Sequence, residues 1–526
     1  MKKSSVLVAV LGVVIGVLLC LIGQKMQQRK AMRNWEYGDW RKLSLILDHV
    51  EQNYVDSIDM KEMTDAAIVA ALSKLDPHSV YLPPVELSKS ETELQGNFEG
   101  IGIQFNVPND TAIVLSVIPG GPSEKAGLLT GDRIIAVDDK VIAGVNTPQD
   151  SMVMMMKGPS GTKVDIKVRR GTEDIVFDIT RGKIPLNCVD AAFMVNDSTA
   201  YIKLSKFSRT TYQEVITAVV KLLSEGMDKL ILDLRGNTGG YFDQACLLSN
   251  EFLAKGDLIV YMEGEHRKRE EQRANGKGLL QNIKLDVLID EGSASSSEIF
   301  AGAIQDNDRG RIIGRRSFGK GLVQEPVNFT DGSGIRLTVA RFHTPSGRCI
   351  QKPYGEDYDY DIYDRYMHGE MTNADSIKVD RNLEYKTKSG RIVYGGGGIV
   401  PDIFVPVDTT RASDFYIACN RKATSMRFAS AWFDSHRDAL LALDDYGRLQ
   451  KYLENPRLEQ DFLRFAAQKD GITPKAGEWE ETRAYMMPQI KALVGRYSKL
   501  GEEAFYHLYL EIDECIKVAT ADPTEL

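Results

Sequence analysis

The chain has 526 residues, of which 43% are hydrophobic and 26% are charged, and its formal net charge is −9. This length predicts several packed domains of roughly 150 residues each, because it exceeds one ordinary hydrophobic core, and the composition excludes wholesale disorder. The acidic balance argues against a nucleic-acid-binding protein, since such proteins usually carry a basic face.

The N-terminal segment, residues 1–35, is predicted to be a signal anchor. Its run VLVAVLGVVIGVLLCLIG, residues 6–23, contains eighteen residues without a charge, which is close to the span of a bilayer core. No A-x-A site follows the run, so cleavage is not expected. The orientation stays open, because four basic residues follow the run and two lysines precede it, which the positive-inside rule associates with the opposite topology.

Residues 36–97 are predicted to form an N-terminal helical region. Apolar residues recur at helical spacing across residues 40–73 with a break near residues 56–59, which predicts two helices. The prolines of LDPHSVYLPPVE then end the second helix.

Residues 98–182 predict a small β-rich module, because short alternating strands are separated by glycine, proline and aspartate turns and accompanied by one helix. The glycines of GIGI, residues 100–103, would let backbone N–H groups face a ligand. The order FEGIGIQF, IPGGPSEKAGLLTGDRIIAVDDKVI and KGPSGTKVDIKVRR resembles a bacterial PDZ domain.

The resemblance to a PDZ domain implies that the module binds peptide C-termini. In such domains the glycine-rich loop receives the terminal carboxylate, and the peptide adds as a strand beside the helix. The peptide-binding residues carried over are Gly100, Ile101, Gly102, Ile103, Met152, Met155 and Met156. For each methionine, packing in the core of the module is an equally good explanation.

Residues 183–406 alternate strands with helices, which predicts an α/β layer around a buried sheet. The strand LDVLID leads into EGSASSSEIF, so this stretch is a predicted strand-to-helix turn. Ser295 and Glu298 have capping-box spacing, and a helix cap alone would explain them. A catalytic role for the serine would require a base within hydrogen-bonding reach.

Lys320, between two glycines in SFGKGLVQ, is the candidate base. No acidic residue lies between Arg309 and Gln324, and burial away from carboxylates lowers the pKa of a lysine towards the range that a base needs. Gln324 follows four residues later and shares a face with Lys320 in a helix or a strand. Standing alone, the two residues would be explained as a surface-turn lysine and a polar strand residue.

The order of motifs resembles the C-terminal processing, or tail-specific, peptidase family over roughly residues 40–406. The motifs are LDPHS, the PDZ-like module, DLRGNTGG, GSASSSEIF, FGKGLVQ, TPSGRCIQ and GGIVPDI. This resemblance implies a multidomain α/β fold, in which a core similar to Clp protease and crotonase carries an inserted PDZ domain, N-terminal helices and a C-terminal helical appendage.

The family resemblance also implies a serine-lysine dyad that works without a metal or cofactor. Carried over to this sequence, Ser295 is the nucleophile, Lys320 is the general base and Gln324 positions the lysine. His343 is the next candidate base if Lys320 is not the one.

The oxyanion hole implied by the family combines the backbone N–H of Ser296 with one from Gly239 or Gly240. Which glycine donates stays open. Ser296 stands where the family commonly has alanine, but only its backbone is asked to act. Ser293 and Ser297 are assigned to structure.

Two further regions have no assigned role. Residues 353–393, inside the peptidase core, are predicted to be a surface insertion, since residues 353–371 are acidic and rich in tyrosine; a substrate-facing flap is the alternative. Residues 407–526 show amphipathic spacing that predicts a C-terminal domain of about four helices. Oligomerisation, adaptor binding and plain bulk all fit this domain.

Two functional hypotheses follow. The first is a serine endopeptidase anchored in a bacterial inner membrane, with its catalytic domains in the periplasm and its protein substrates selected by their C-terminal tails. The second is a catalytically inactive scaffold that binds peptides through the PDZ-like module. Cleavage of an unfolded protein distinguishes the two.

Overall fold

The computed structural model describes residues 40–107, 110–118, 120–355, 358–409 and 413–521. The chain divides into two units, Met1–Tyr81 and Leu82–Leu526. The predicted signal anchor lies outside the described residues. Within the described ranges, no helix has both the length and the apolar character required to cross a membrane.

The first unit contains two helices, α1 (Trp40–Asn53) and α2 (Met60–Leu72), as the apolar spacing predicts. Asp59 ends the break between them, and its side chain accepts hydrogen bonds from the N–H groups of Lys61 and Glu62 at the start of α2. An aspartate at this N-cap position satisfies donors that the helix itself leaves free.

The second unit contains the β-rich module, residues 98–182, preceded by β1 (Val80–Leu82) at the unit boundary and by α3 (Pro84–Gln95). The module and its flanks contain α4 (Pro122–Ala126), α5 (Gln149–Met156), β2 (Asn97–Gly100), β3 (Ile103–Asn106), β4 (Ala112–Val117), β5 (Arg133–Val137), β6 (Lys140–Val141), β7 (Lys163–Arg170), β8 (Glu173–Thr180) and β9 (Gly182–Pro185).

The main sheet of the module runs in the order β3-β4-β5-β7-β8, and β6 pairs with β5. β2 and β9 pair antiparallel and bring the two ends of the module together. β3 therefore lies at an edge of the described sheet, next to the glycine-rich loop.

The α/β core follows the module. Its helices are α6 (Thr211–Ser224), α7 (Phe242–Phe252), α8 (Ser296–Asp306) and α9 (Asp361–Met367). Its strands are β10 (Val189–Met194), β11 (Thr199–Leu204), β12 (Lys229–Asp233), β13 (Leu258–Gly264), β14 (Arg267–Arg273), β15 (Lys284–Ile289), β16 (Arg311–Gly314), β17 (Leu322–Asn328), β18 (Gly334–His343), β19 (Glu384–Lys386), β20 (Ile392–Tyr394) and β21 (Ile403–Phe404).

The central sheet of the core runs in the order β10-β11-β12-β15-β16-β21. β11 and the strands that follow it in this order are parallel, and β10 pairs antiparallel with β11. β12 and β15 are neighbours, with Asp233 opposite Leu288, so their carboxyl ends place the RGNTGG and EGSASSSE segments side by side. The predicted α/β core is confirmed.

A second sheet carries the segment that follows the predicted base. β13 pairs antiparallel with β14 and with β18, and β18 pairs antiparallel with β17. Gln324 lies on β17 opposite Thr338, beside a register irregularity after Val323. Strand pairing in the second sheet therefore fixes the position of Gln324, four residues after Lys320.

Residues 413–521 form helices α10 (Asp414–Arg421), α11 (Thr424–Leu441), α12 (Tyr446–Leu453), α13 (Pro456–Phe465), α14 (Glu478–Gly495), α15 (Gly501–Tyr509) and α16 (Glu514–Thr520), with a π-helical turn at Ala466–Asp470. The expectation of about four helices is wrong, because Ala423, which has a left-handed backbone, Pro456 and Asp513 divide the amphipathic stretches into shorter pieces. These helices pack on Ile113 of the module and on the core sheet around Tyr201 and Leu288.

Candidate active site

Ser295 lies at the turn where β15 passes into α8. Its φ of 54° and ψ of −112° place a residue with a side chain in a backbone conformation that is uncommon and strained. Ser295 is half-buried, whereas the other residues from 293 to 306 are buried. The turn therefore brings this one serine to the surface of an otherwise buried segment.

The three serines around Ser295 bind the backbone of Leu234 and of the RGNTGG segment that follows it. The hydroxyl of Ser293 donates to the carbonyl of Leu234 at 2.8 Å, that of Ser297 to Asn237 at 2.8 Å, and that of Ser296 to Gly240 at 3.0 Å. These three side chains are buried. Their hydroxyls hold the two segments together, which gives each of them a structural partner.

The buried carboxylate of Glu298 connects the serine turn to the lysine segment. Its Oε2 accepts the backbone N–H of Ser295 at 2.9 Å and that of Lys320 at 2.8 Å. Its Oε1 accepts the N–H of Gly319 at 2.7 Å and the hydroxyl of Ser317 at 2.5 Å. Burial raises the pKa of the Glu298 carboxyl, and the four hydrogen bonds act in the opposite direction.

The backbone N–H of Lys320 therefore donates to the same carboxylate oxygen as the N–H of Ser295, so the Lys320 backbone lies next to the Ser295 turn. Lys320 is half-buried, and so is Gln324 on β17. Glu298, on a helix more than twenty residues earlier in the chain, thus places a carboxylate at the backbone of Lys320. The capping-box spacing revealed Glu298 only as a partner of Ser295, and no local signal linked it to Lys320.

The candidate oxyanion donors are the backbone N–H groups of Gly239, Gly240 and Ser296. The N–H of Gly239 donates to Oδ1 of Asn237 at 2.9 Å, so it is already used within the loop. Within the described part of the chain, the N–H groups of Gly240 and Ser296 have no hydrogen-bond acceptor. The geometry therefore favours Gly240 over Gly239 as the donor that would act with Ser296.

Glycine is required at position 239 because a side chain would have no room there. A Cβ on Gly239 would lie 2.8 Å from Cβ of Ser295 and 2.9 Å from the backbone nitrogen of Ser296, and its φ is +99°. A Cβ on Gly240 would lie 2.0 Å from the carbonyl oxygen of Phe207. Both glycines therefore allow the RGNTGG segment to approach closely.

His343, the alternative base, has other contacts. Its Nδ1 lies 3.1 Å from the carbonyl oxygen of Gly347, and its Nε2 lies 3.5 Å from a carboxylate oxygen of Glu263. The ring also stacks on Tyr261 at a centroid distance of 4.6 Å. These contacts explain His343 as a structural residue of β18.

The loop predicted to receive a carboxylate is anchored by its own carbonyl groups. The carbonyl of Ile101 accepts the N–H of Ser123 at 2.9 Å, and that of Gly102 accepts the N–H of Ile118 at 3.0 Å. Gly100 pairs with Gly182 between β2 and β9. Ile103 begins the edge strand β3, so the loop leads directly into a strand edge where a peptide could add.

The methionines of α5 do not form an open groove wall together. Met152 is 0% exposed and Met156 is 4% exposed, and both belong to the hydrophobic core of the module. Met155 is half-buried against that core. For Met152 and Met156 the structure favours the core-packing alternative, because the side chains of α5 that face the sheet must fill the module.

Comparison with known proteins finds a match for the α/β core and another for the β-rich module. The family model described as Peptidase family S41 matches residues 198–362, and the model described as PDZ domain matches residues 100–180. The carboxy-terminal processing protease CtpA of Bacillus subtilis (strain 168) is 34% identical over 313 residues, which cover 59% of this chain and 66% of that protein. The chain therefore spans slightly less than two thirds of the length of this relative.

A probable CtpA-like serine protease of Staphylococcus aureus (strain N315) is 31% identical over 364 residues, which cover 68% of this chain and 73% of that protein. Among solved structures, the photosystem II D1 C-terminal processing protease is 25% identical, with a TM-score of 0.37, and the match covers 70% of this chain and 88% of that one. The family resemblance read from the motifs is confirmed. The chain therefore belongs to the C-terminal processing proteases of peptidase family S41 and contains a PDZ domain.

Proposed function

We propose that this protein is a serine endopeptidase in which Ser295 is the nucleophile and Lys320 is the general base. The observation that carries the proposal is the shared carboxylate oxygen: Glu298 Oε2 accepts the backbone N–H of both residues. This contact brings the strained serine turn against the lysine segment, as a nucleophile and its base require.

In the proposed reaction, Oγ of Ser295 attacks a peptide carbonyl and forms a C–O bond while Lys320 accepts the hydroxyl proton. The N–H groups of Gly240 and Ser296 stabilise the negative charge that develops on the carbonyl oxygen. The C–N bond then breaks, and Lys320 returns the proton to the leaving amine. Water next attacks the acyl-enzyme while Lys320 takes a proton from it; the ester C–O bond then breaks, and Lys320 returns this proton to Oγ of Ser295. Gln324 is assigned to orient the lysine amine.

The test of this dyad is the cleavage of an unfolded protein by the full-length chain. We expect Ser295→Ala and Lys320→Ala each to lower the rate by at least about a thousandfold, because the two residues act as one unit. Ser224→Ala, at an exposed position on α6, is the matched control and should leave the rate unchanged. Substantial activity in Lys320→Ala would assign the base elsewhere, first to His343. A folded wild type without cleavage would favour the peptide-binding scaffold.

Substrates are proposed to be selected by their C-termini. The loop of residues 100–103 leads into the edge strand β3, which is the arrangement that β-strand addition of a peptide uses. A substrate with an apolar last residue and a free carboxylate should therefore be cleaved faster than the same protein with a C-terminal amide, because the amide leaves loop donors unpaired. Equal cleavage rates and equal affinities for the acid and amide forms would show that the loop does not recognise termini.

We further propose that residues 6–23 anchor the protein in a bacterial inner membrane, with the PDZ domain and the core in the periplasm. The uncharged length of this run supports an anchor. A reporter that works only outside the cytoplasm, fused after residue 35, should be active. Activity only of a cytoplasmic reporter at the same position would reverse the orientation.

A further inference from the structure

The backbone of residues 317–319, immediately before Lys320, is satisfied from two opposite sides. The N–H groups of Ser317 and Phe318 donate to the carbonyls of Ile399 and Ser293, both at 3.0 Å, and the N–H of Gly319 donates to Glu298 at 2.7 Å. The N–H groups thus bind the peptidase core. Their fixed partners hold one edge of the segment that leads to the proposed base.

Two carbonyl groups of the same segment bind the insertion, and the third binds the residue that precedes it. Nη1 of Arg365, on α9, donates to the carbonyl of Ser317 at 2.8 Å, and its Nη2 donates to that of Phe318 at 3.2 Å. The carbonyl of Gly319 accepts the N–H of Lys352 at 3.0 Å. One guanidinium therefore donates to two consecutive carbonyls of this segment.

Arg365 is buried and fixed by its neighbours. Its side chain is 3% exposed and lies 3.0 Å from the Asp361 carboxylate one turn earlier on α9. Its backbone carbonyl accepts the N–H of Glu370, whose carboxylate binds Arg316 with two contacts of 2.6 Å. Arg316 immediately precedes the segment, so the insertion contacts this stretch of chain at two points. The prediction of a surface insertion is wrong for Arg365 and Glu370, because both residues are buried.

We propose that Arg365 is a positioning residue for Lys320, so that the insertion is part of the peptidase site rather than an appendage. This inference rests on the proposed function of Lys320. The planar fork of Arg365 holds two adjacent peptide units in one orientation. The second of these units carries the Gly319 N–H and the next unit carries the Lys320 N–H, and both N–H groups bind Glu298. Loss of the fork frees the segment to move, and with it the lysine relative to Ser295.

The test compares full-length wild type, Arg365→Met, Arg365→Lys and the control Arg381→Met, whose arginine is exposed on the same insertion. The probe is an unfolded protein with an apolar C-terminus, and rates are divided by the active serines titrated with a fluorophosphonate. We expect kcat of Arg365→Met to fall by about tenfold to a hundredfold, since small misplacements of reacting groups have such effects, while KM changes by less than about twofold. Arg365→Lys should be intermediate, and Arg381→Met unchanged.

Hydrogen exchange gives a readout that needs no activity. The amides of residues 317–320 should exchange faster in Arg365→Met than in wild type, and Arg381→Met should match wild type. If wild type shows no cleavage that depends on Ser295, the proposed function fails, and the exchange still tests the role of Arg365 in holding the segment.

An unchanged kcat per titrated serine, or unchanged exchange at residues 317–320, would overturn the positioning role. A fall in the number of titrated serines at constant kcat would also overturn it, because that pattern reports unfolding alone. If Arg365→Met does not fold, Arg365→Lys decides: lowered kcat at unchanged KM supports the proposal, and wild-type kcat rejects it.

Discussion

Glu298 is the residue on which the proposed dyad depends most directly for its geometry. A carboxylate accepts hydrogen bonds at both oxygens, and here all four donors point at it. Glutamine offers one accepting oxygen, and its NH₂ group would face two of these donors. The charge of Glu298 is therefore less important to this arrangement than its two acceptor atoms.

We expect Glu298→Gln to lose at least about tenfold in peptidase rate and on the order of 1–3 kcal/mol in stability, because buried donors lose their acceptor. The measurements are cleavage of the unfolded substrate and denaturant unfolding. Glu325→Gln, at an exposed position on β17, is the matched control. A Glu298→Gln protein with wild-type rate and stability would show that the shared acceptor is not needed.

At the scale of elements, α15 is attached to the core and to a neighbouring helix through one imidazole. The His507 ring stacks on Phe193 of β10 at 4.2 Å and on Tyr446 of α12 at 3.6 Å. Burial lowers the pKa of His507 to about 4. The neutral ring is therefore the form that fits between the two aromatic rings.

This stack predicts a loss of stability in acid. The folded pKa lies below the ordinary value of 6.5, so the unfolded chain binds more protons between these two values, and stability falls as pH drops through that window. Between pH 7 and pH 5 the loss due to His507 should be on the order of 1–2 kcal/mol. Denaturant unfolding at both pH values measures it.

His507→Phe keeps an aromatic ring in the stack but cannot take up a proton, so it should show a weaker pH dependence than wild type. His368→Phe, at an exposed position, should retain the wild-type dependence. Identical pH dependence in wild type and His507→Phe would contradict the assignment.

At the scale of the whole second unit, the C-terminal helices contact both the PDZ domain and the core. Arg437 of α11 donates to the carbonyls of Thr130 and Gly131 in the PDZ domain at 2.6 and 2.8 Å. Arg133 of the same domain pairs with Asp434. At the other end, Asp513 binds Arg235 at 2.7 Å, in the segment that carries the proposed oxyanion donor.

We expect Arg437→Met to loosen the PDZ domain from the C-terminal helices, because two carbonyls lose their donor and α11 loses a cation beside the domain. Hydrogen exchange in β4 and β5 should become faster, and limited proteolysis should cut near residues 127–133 sooner. Arg421→Met, at an exposed position on α10, should behave as wild type. Protection equal to wild type in Arg437→Met would show that other contacts alone hold the domain.

The sequence by itself determined the family, the α/β core and the strand-to-helix turn at Ser295. These features are encoded locally: strand and helix periodicity, turn glycines and the capping spacing of Ser295 and Glu298 each act within a few residues. The order of the motifs then identified the family without any knowledge of how the segments pack.

Only the tertiary structure decided which partners these residues have. The side chain of Asn237 accepts the Gly239 N–H, and that of Glu298 accepts the Lys320 N–H. Arg365 donates to the carbonyls of Ser317 and Phe318, which precede Lys320. Met152 and Met156 are buried by the sheet that α5 covers. Hydrogen-bond acceptors and buried surface come from chain segments distant in sequence, so periodicity and spacing carry no record of them.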